Sequence, residues 1–450
     1  RRVHGGDSYF LFQYMTTMFL PSVPLIHHQV HCSCIPKFLS SSSRRLRSER
    51  SLSPENVHRR LKFTLNSSTA SISLPDRHSE SHRDPISGSK SKQKQVTIAG
   101  VIQDELLDPE HLAEPESRFC EFQGVKIHHQ LSESSTSPSS HKNLSPAILL
   151  HGFGASVFSW QSAMNPLSQA TNSSVLAFDR PGFGLTSRVD SRAHMSGNPS
   201  RINPYSMAFS VLLTLHFIDS LTSDKAILIG HSAGCLVAVN TYFKAPQRIA
   251  ALILVAPAII APGKAPNQTK TSQNIFFKFF SSIAKTTVVI LKIALDYGNL
   301  VYKKSLSFLL NSSFFVVLIR IAIDKFGVSA VRNAWYDRSK ISDEVIRGYL
   351  KPLKVKGWDK GLSEFISAMV GVTEPEDGPS FAERIRGISC PVLIITGDSD
   401  RLVPAWNAKK LSEVIPGSSF GVIEQCGHLP HEEKVGQFVS AVSRFLQERL

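Results

Sequence analysis

One serine of this chain has a sequence context suited to nucleophilic chemistry. Ser232 lies at the centre of Gly-His-Ser-Ala-Gly, residues 230–234, directly after the apolar run 226–229 and before a helix-like stretch. This order predicts a strand, a sharp turn and a helix, in which the two glycines avoid clashes and the serine hydroxyl is exposed above the sheet. The same spacing recurs at residues 417–421, but there a helix leads into a strand. Only Ser232 therefore fits the context of a reactive serine.

A base and an acid for this serine are available downstream in the chain. A serine hydroxyl is a weak nucleophile at neutral pH, so it needs a general base, and that base needs a group to orient it. Asp400 follows the apolar stretch 392–395, and His428 follows the last strand-like segment. Asp398 is the alternative acid, although the longer loop before Asp400 favours Asp400 as the partner of His428. The predicted order along the chain is therefore serine, acid and histidine.

Alternating strands and helices are predicted to position these residues. Strand patterns cover residues 118–122, 125–129, 146–150, 174–178, 226–229, 251–255, 391–397 and 419–424. Helical patterns cover residues 205–221, 235–243, 405–414 and 432–450. The first two strands form a hairpin, and the later alternation predicts an α/β fold with a parallel, doubly wound sheet.

The alternation stops over residues 258–380, where the sequence is helical and rich in aromatic residues. We interpret this insertion between two sheet strands as a helical lid. Residues 258–295 contain no Asp or Glu but carry lysines among many Phe and aliphatic residues. Such a composition is typical either of a lid that roofs an apolar pocket or of a helix lying on an anionic membrane surface. Both interpretations predict a lipophilic substrate.

Five motifs in this order resemble those of the α/β-hydrolase superfamily. They are His-Gly-Phe-Gly at 151–154, Asp-Arg-Pro-Gly-Phe-Gly at 179–184, Gly-His-Ser-Ala-Gly at 230–234, Gly-Asp-Ser-Asp-Arg-Leu-Val-Pro at 397–404 and Gly-His-Leu-Pro at 427–430. The resemblance covers about residues 115–450 apart from the lid. Within the superfamily, the motifs are most similar to those of the lidded branch that includes plant plastid hydrolases. The resemblance implies a mostly parallel eight-stranded sheet flanked by helices, with the lid inserted between two strands.

The resemblance also implies roles for individual residues. Ser232, His428 and Asp400 would hydrolyse a carboxylic ester through an acyl-enzyme, and the backbone N–H groups of Phe153 and Ala233 would form the oxyanion hole. The candidate substrate-pocket residues are Trp160, Phe276 and Phe280. For Trp160 the first interpretation is a residue packed on the sheet, and the role in lining the pocket is the second.

The other histidines near these motifs are not expected to take part in the chemistry. His151 is interpreted as a brace for the loop at 151–154, and His231 as a residue packed under the turn that carries Ser232. His431 is interpreted as an exposed residue at the start of a helix.

Two positions argue against three related activities. Dehalogenases and epoxide hydrolases of this fold carry Asp where Ser232 stands, and an acyltransferase signature would place Asp where this chain has Glu433, five residues after His428. Two alternatives stay open. They are a receptor-like protein that binds a ligand and turns it over slowly, and a hydrolase of carbon–carbon bonds that uses the same triad.

The net charge of +14 is concentrated at the start of the chain. Residues 1–95 hold 15 Lys and Arg against 6 Asp and Glu, which is +9 of the total and leaves +5 for the rest. The remainder lacks a basic stripe with interleaved aromatics, so no nucleic acid partner is expected. The serine-rich, acid-poor start predicts a transit peptide and a disordered linker, with the chloroplast as first and the mitochondrion as second destination. A disordered cytosolic tail is the alternative interpretation.

The six cysteines show neither a disulfide framework nor metal-ligand spacing, and no metal or organic cofactor is expected. The expected partners are a small lipophilic ester and, through the lid, a membrane surface. The predicted divisions are the presequence and linker at 1–95, the first part of the core at 96–257, the lid at 258–380 and the second part of the core at 381–450.

Overall fold

The structure is a computed structural model that describes residues 95–134, 144–198, 200–222, 224–261, 308–310, 312–370 and 379–450. The predicted transit peptide lies outside the described residues, and so do the pocket candidates Phe276 and Phe280. These assignments stay predictions.

An eight-stranded sheet forms the centre of the described chain. Its strands are β3 (Arg118–Phe122), β4 (Val125–Ser132), β5 (Ala147–Leu150), β6 (Val175–Phe178), β7 (Ala226–His231), β8 (Ile249–Val255), β9 (Val392–Gly397) and β10 (Ser419–Ile423), in the spatial order β10-β9-β8-β7-β5-β6-β4-β3. The β3–β4 and β4–β6 pairs are antiparallel and all other pairs are parallel. The predicted mostly parallel sheet is confirmed. Its central strands are fully buried and almost entirely apolar, as expected where helices cover both faces of a sheet.

Two layers of helices bury the sheet. The α-helices of the core are α1 (Gln161–Thr171), α2 (Ser191–Ser196), α3 (Met207–Leu221), α4 (Gly234–Lys244), α8 (Phe381–Arg386), α9 (Ala405–Val414), α10 (Pro430–Glu433) and α11 (Val435–Arg449). Apolar residues of α3, α4 and α9 pack on one face of the sheet, and those of α1 and α11 pack on the other. The closing helix, predicted as one element over 432–450, is instead divided at Lys434, whose backbone leaves the helical region with φ −136° and ψ 49°.

The insertion between β8 and β9 is helical in its described part. It contains α5 (Ser313–Ala334), α6 (Asp343–Leu350) and α7 (Trp358–Val370), and the two strands that flank it are neighbours in the sheet. Among the helices in the described ranges, none has the length and apolar character needed to cross a bilayer.

A segment before the sheet contacts this lid. It includes the short strands β1 (Thr97–Ile98) and β2 (Val101–Ile102), which pair with each other. Leu107 then forms a parallel bridge with Val355, and the Trp358 indole N–H donates to the Gln103 side chain at 2.9 Å. The lid is thus attached to the core through an element far from it in sequence.

Candidate active site

Ser232 occupies a strained turn at the carboxyl end of β7. Its φ is +51°, a left-handed conformation that non-glycine residues rarely adopt. Its backbone N–H donates to the carbonyl of Val255 at 2.8 Å, which ties the turn to the end of β8. Helix α4 begins two residues later, so strand, turn and helix follow each other as the motif predicts.

The two glycines beside Ser232 lie where no side chain fits. A Cβ at Gly230 would lie 2.7 Å from the backbone nitrogen of Cys235, and one at Gly234 would lie 2.1 Å from the carbonyl oxygen of Leu150. The second Gly-x-Ser-x-Gly match differs in this respect, because a Cβ on Gly417 or on its partner four residues later would meet nothing within 4 Å. That match is an ordinary turn into β10.

Asp400 and His428 form a buried pair. The Nδ1 atom of His428 lies 2.7 Å from Oδ2 of Asp400. The other carboxylate oxygen accepts the backbone N–H groups of Leu402 and Val403, each at 2.8 Å. Since those donors hold Oδ1, Oδ2 faces the imidazole and accepts the Nδ1 proton. The Nε2 atom of a neutral His428 then carries the lone pair that a general base requires.

Asp398, the alternative acid, bonds to backbone N–H groups instead of His428. Its carboxylate accepts the backbone N–H groups of Gln425 at 3.0 Å and Cys426 at 3.2 Å. Although burial opposes ionisation, these two donors hold the pKa of Asp398 below its usual value. Asp398 therefore braces the loop that leads to His428, while Asp400 contacts the histidine itself.

The residue before Ser232 contacts His428. The Nε2 atom of His231 donates to the backbone carbonyl of His428 at 2.9 Å, and the two rings lie 4.8 Å apart between centroids. His231 is fully buried, and burial together with the neighbouring histidines lowers its pKa well below the ordinary value. This contact places His428 at the turn that carries Ser232.

The loop at 151–154 packs against the same turn. A Cβ at Gly152 would lie 3.2 Å from Cβ of Ser232, so the two backbones approach closely. His151 braces this loop, because its Nδ1 lies 2.7 Å from the Gly152 carbonyl and its Nε2 accepts the Arg180 backbone N–H at 3.0 Å. Burial, with the adjacent Arg180 guanidinium, lowers the pKa of His151 to about 4, so the ring is neutral at pH 7.

The backbone N–H groups of Phe153 and Ala233 are the predicted oxyanion donors. Ala233 precedes the first residue of α4, where the helix dipole favours negative charge. Within the described ranges, no hydrogen-bond acceptor of the chain faces either N–H. Phe153 itself is buried and packs edge-on against Phe183 at 5.6 Å between centroids.

The sequence profile of the alpha/beta hydrolase family matches residues 147–441, which include the Ser232 turn, Asp400 and His428. The chain belongs to this family. It is 23% identical over 301 residues to an uncharacterised hydrolase, YugF, of Bacillus subtilis, covering 67% of this chain and 89% of that protein. It is also 24% identical over 302 residues to a 2-hydroxy-6-oxononadienedioate/2-hydroxy-6-oxononatrienedioate hydrolase of Pseudomonas putida, covering 67% and 87% of the two chains. A crystal structure of a serine hydrolase involved in carbazole degradation aligns at 20% identity and a TM-score of 0.48, covering 74% of this chain and 99% of that one.

Trp160 lies in the interior of this hydrolase. Its side chain is fully buried, with its ring 4.2 Å from that of His431 and 6.3 Å from that of Phe438, between centroids. It belongs to the apolar cluster between the sheet and helices α1 and α11. The packed position, which was the first interpretation of Trp160, is the one observed, and the alternative role in lining the pocket is not.

His431 is fully buried, and the prediction that it is exposed was wrong. Helix α10 begins at Pro430 and turns the next side chain inward, against Trp160 and against His231, whose ring centroid lies 4.5 Å away. Burial, together with the neighbouring His428, lowers the pKa of His431 to about 3. The short helix could not be distinguished from α11 by sequence periodicity.

A second serine–histidine–aspartate chain lies elsewhere in the hydrolase, and sequence reasoning missed it. His128 Nε2 is 2.8 Å from Oγ of Ser117, and its Nδ1 is 2.7 Å from Oδ2 of Asp179. The Asp179 carboxylate also accepts the backbone N–H groups of Val157 and Leu185, each at 2.7 Å. The adjoining cavity measures about 20 Å³, which is room for roughly one water and no acyl group. We interpret this set of hydrogen bonds as structural, because it connects strand β4 to loops at the ends of neighbouring strands.

An open cleft of about 1060 Å³ lies in the described part of the hydrolase. It lies between the segment around Gly100, strand β4 and helices α1 and α6, and its walls include Phe158 and Lys351. Neither Ser232 nor His428 lines it, so this cleft is not assigned as the catalytic pocket.

Among the described residues, no group of three or more His, Cys, Asp or Glu side chains is arranged to hold a metal ion.

Glu432 of helix α10 contacts the lid, and its buried carboxyl group should make the free energy of unfolding depend on pH. The Tyr349 hydroxyl of α6 donates to its carboxylate at 2.5 Å, and His431 Nε2 lies 3.7 Å away. Burial raises the pKa of Glu432 to about 8; Tyr349 opposes this shift and Glu433 adds to it. The folded state therefore holds a proton that the unfolded state has released above its ordinary pKa of 4.5.

We expect the free energy of unfolding to fall as pH rises from about 4.5 to about 8. The Glu432→Gln variant should lose this dependence, because its amide does not titrate. Urea unfolding at half-unit steps from pH 5 to pH 9 measures the slope, with the exposed Glu448→Gln as control. Equal slopes for the parent and Glu432→Gln would contradict the prediction.

Proposed function

We propose that this hydrolase cleaves a carboxylic ester of a lipophilic substrate through an acyl-enzyme. The single observation that carries the proposal is the buried Asp400–His428 pair beside the strained turn of Ser232. In this proposal Ser232 is the nucleophile, His428 the general base and then the general acid, and Asp400 the group that orients His428.

The proposed reaction has two halves. Ser232 Oγ attacks the acyl carbon while its proton passes to Nε2 of His428, and the oxyanion accepts the N–H groups of Phe153 and Ala233. The alcohol leaves with the proton from His428, and a water molecule activated by the same Nε2 then releases the acid. Each oxyanion donor contributes about 3–4 kcal/mol to transition-state stabilisation by precedent.

The lid supports the lipophilic character of the substrate. Helix α5 exposes a stripe of large apolar side chains at helical spacing, namely Phe314, Val317, Leu318 and Ile321. Exposed stripes of this kind occur where a protein meets lipid or another apolar surface. We propose that the lid makes peripheral contact with a membrane or a lipid aggregate. The chloroplast as the place of action is likewise a proposal, and it rests on the composition of residues 1–95.

Hydrolysis of a carbon–carbon bond is the second candidate. The Pseudomonas putida relative is named as a hydrolase of 2-hydroxy-6-oxo dienedioates, and a serine triad serves such substrates as well. A receptor-like protein with slow turnover is the remaining alternative.

A panel of p-nitrophenyl esters separates these functions. We expect a burst of p-nitrophenol equal to the enzyme concentration, followed by slower turnover, because the acyl-enzyme forms faster than it is hydrolysed. Since each buried methylene adds about 0.8 kcal/mol, kcat/KM should rise by about tenfold or more from acetate to octanoate. Turnover of a 2-hydroxy-6-oxo dienoate with no burst on any ester would favour the second candidate. A burst without further turnover would favour the receptor-like protein.

A further inference from the structure

The end of lid helix α5 is joined directly to the loop of the catalytic histidine. We call residues 334–336, which end and follow α5, the lid tether. The backbone N–H of His428 donates to the carbonyl of Ala334 at 2.6 Å. A Cβ at Gly427 would lie 2.3 Å from the same oxygen, so the two backbones are in direct contact and glycine is required there.

A single carboxylate bridges the tether and this loop. One oxygen of Glu433 accepts the N–H of Gly427 at 2.8 Å, and the other accepts the N–H of Tyr336 at 2.8 Å. Gly427 immediately precedes His428, and Tyr336 is the last residue of the tether. Glu433 thus holds both segments at a fixed separation, and two backbone donors depend on its two oxygens.

The loop of the catalytic acid grips the tether as well. Arg401, next to Asp400, donates from Nη1 to the carbonyl of Trp335 at 2.8 Å and from Nη2 to that of Tyr336 at 3.3 Å. Apolar contacts join the same segments. One buried cluster contains tether residues together with residues that flank Asp400 and His428. Its members include Ala334, Trp335, Leu402, Val403 and Leu429.

We propose that the lid tether positions the Asp400–His428 pair, with Glu433 and Arg401 as the positioning residues, so that catalysis follows the position of the lid. The inference rests on the proposed function in taking His428 as the base. The lid would then do more than cover the substrate, because displacing α5 would pull the backbone of His428 and the loop of Asp400 together.

The Glu433→Gln variant of the full chain tests this proposal. A glutamine offers one acceptor, so one of the two N–H donors loses its partner while the shape is kept. We expect kcat per active site, titrated with a fluorophosphonate, to fall about tenfold with KM unchanged within about twofold, because the positioning of His428 and not substrate binding is disturbed. The low-field proton resonance of the Asp400–His428 hydrogen bond should shift or broaden. The control Glu448→Gln should match the parent, and Glu433→Asp, which keeps a carboxylate, should recover part of kcat.

The outcomes distinguish a positioning role from a merely structural one. A lower melting temperature in Glu433→Gln with an unchanged kcat per titrated site would overturn the proposal, and so would an unchanged resonance. If the parent hydrolyses no ester, the proposed function fails. The resonance still decides the coupling between tether and histidine in that case, because it requires no turnover.

Discussion

Replacing Ser232 with alanine is expected to lower kcat for ester hydrolysis by about a million-fold, by precedent from serine proteases. The variant should also lose labelling by a fluorophosphonate, because the Oγ atom that bonds to phosphorus is absent. The effect is large because the turn around Ser232 aims a single hydroxyl, and no side chain close to it in sequence can replace it. Steady-state turnover of the best p-nitrophenyl ester and mass spectrometry of the labelled protein measure both effects.

Ser117→Ala is the matched control for this substitution. Ser117 also lies in a serine–histidine–aspartate chain, with its Oγ 2.8 Å from His128. Its environment lacks space for an acyl group, so we expect labelling and kcat within about twofold of the parent. Labelling that survives Ser232→Ala but disappears in Ser117→Ala would show that the wrong serine has been taken as the nucleophile.

The Asp400→Asn variant is expected to lower kcat about ten-thousand-fold, the loss seen when the orienting acid of a serine protease is replaced by its amide. The amide oxygen would keep the N–H groups of Leu402 and Val403, because both donate to Oδ1 at 2.8 Å. The amide nitrogen would then face Nδ1 of His428. A donor there forces the imidazole into the tautomer with its proton on Nε2, which cannot accept the proton of Ser232.

Asp398→Asn is the comparison variant for this experiment. The Asp398 carboxylate binds backbone N–H groups of the loop before His428 and does not bond to the ring. We expect its kcat to stay within about tenfold of the parent. Activity of Asp400→Asn close to that of Asp398→Asn would contradict the assignment of the acid. The pH profile of kcat/KM adds a check, since loss of the carboxylate beside the general base should change the acidic limb in Asp400→Asn alone.

Most strands and helices could be predicted from the sequence, because the periodicity of apolar residues that forms them involves only residues close together in the chain. Alternation of apolar runs with helical stretches predicted strands such as 251–255 and the helix 405–414, and the observed elements Ile249–Val255 and Ala405–Val414 agree within two residues. The helix boundary at Lys434 was missed because it depends on residues distant in the chain. There the helix breaks where the Glu433 side chain turns back to bond the backbone of Gly427 and Tyr336.

Buried polar positions show the limit of local patterns. His431 lies in a charged, helix-start sequence that favours exposure, yet it is enclosed by Trp160 and His231, the latter 200 residues away in the chain. The Ser117–His128–Asp179 chain has no motif spacing at all. It exists because β3, β4 and β6 lie side by side in the sheet.

The amino-acid sequence by itself determined the order of strands and helices along the chain, the turn around Ser232 and the presence of a helical insertion, because periodicity and glycine placement act over a few residues. The mostly parallel eight-stranded sheet followed from the family resemblance. Only the tertiary structure decided that Asp400 and not Asp398 faces His428, that Trp160 is interior, and that the lid tether meets the loop of the histidine. Those contacts join segments distant in the chain, and their distances depend on how the sheet and its helices pack.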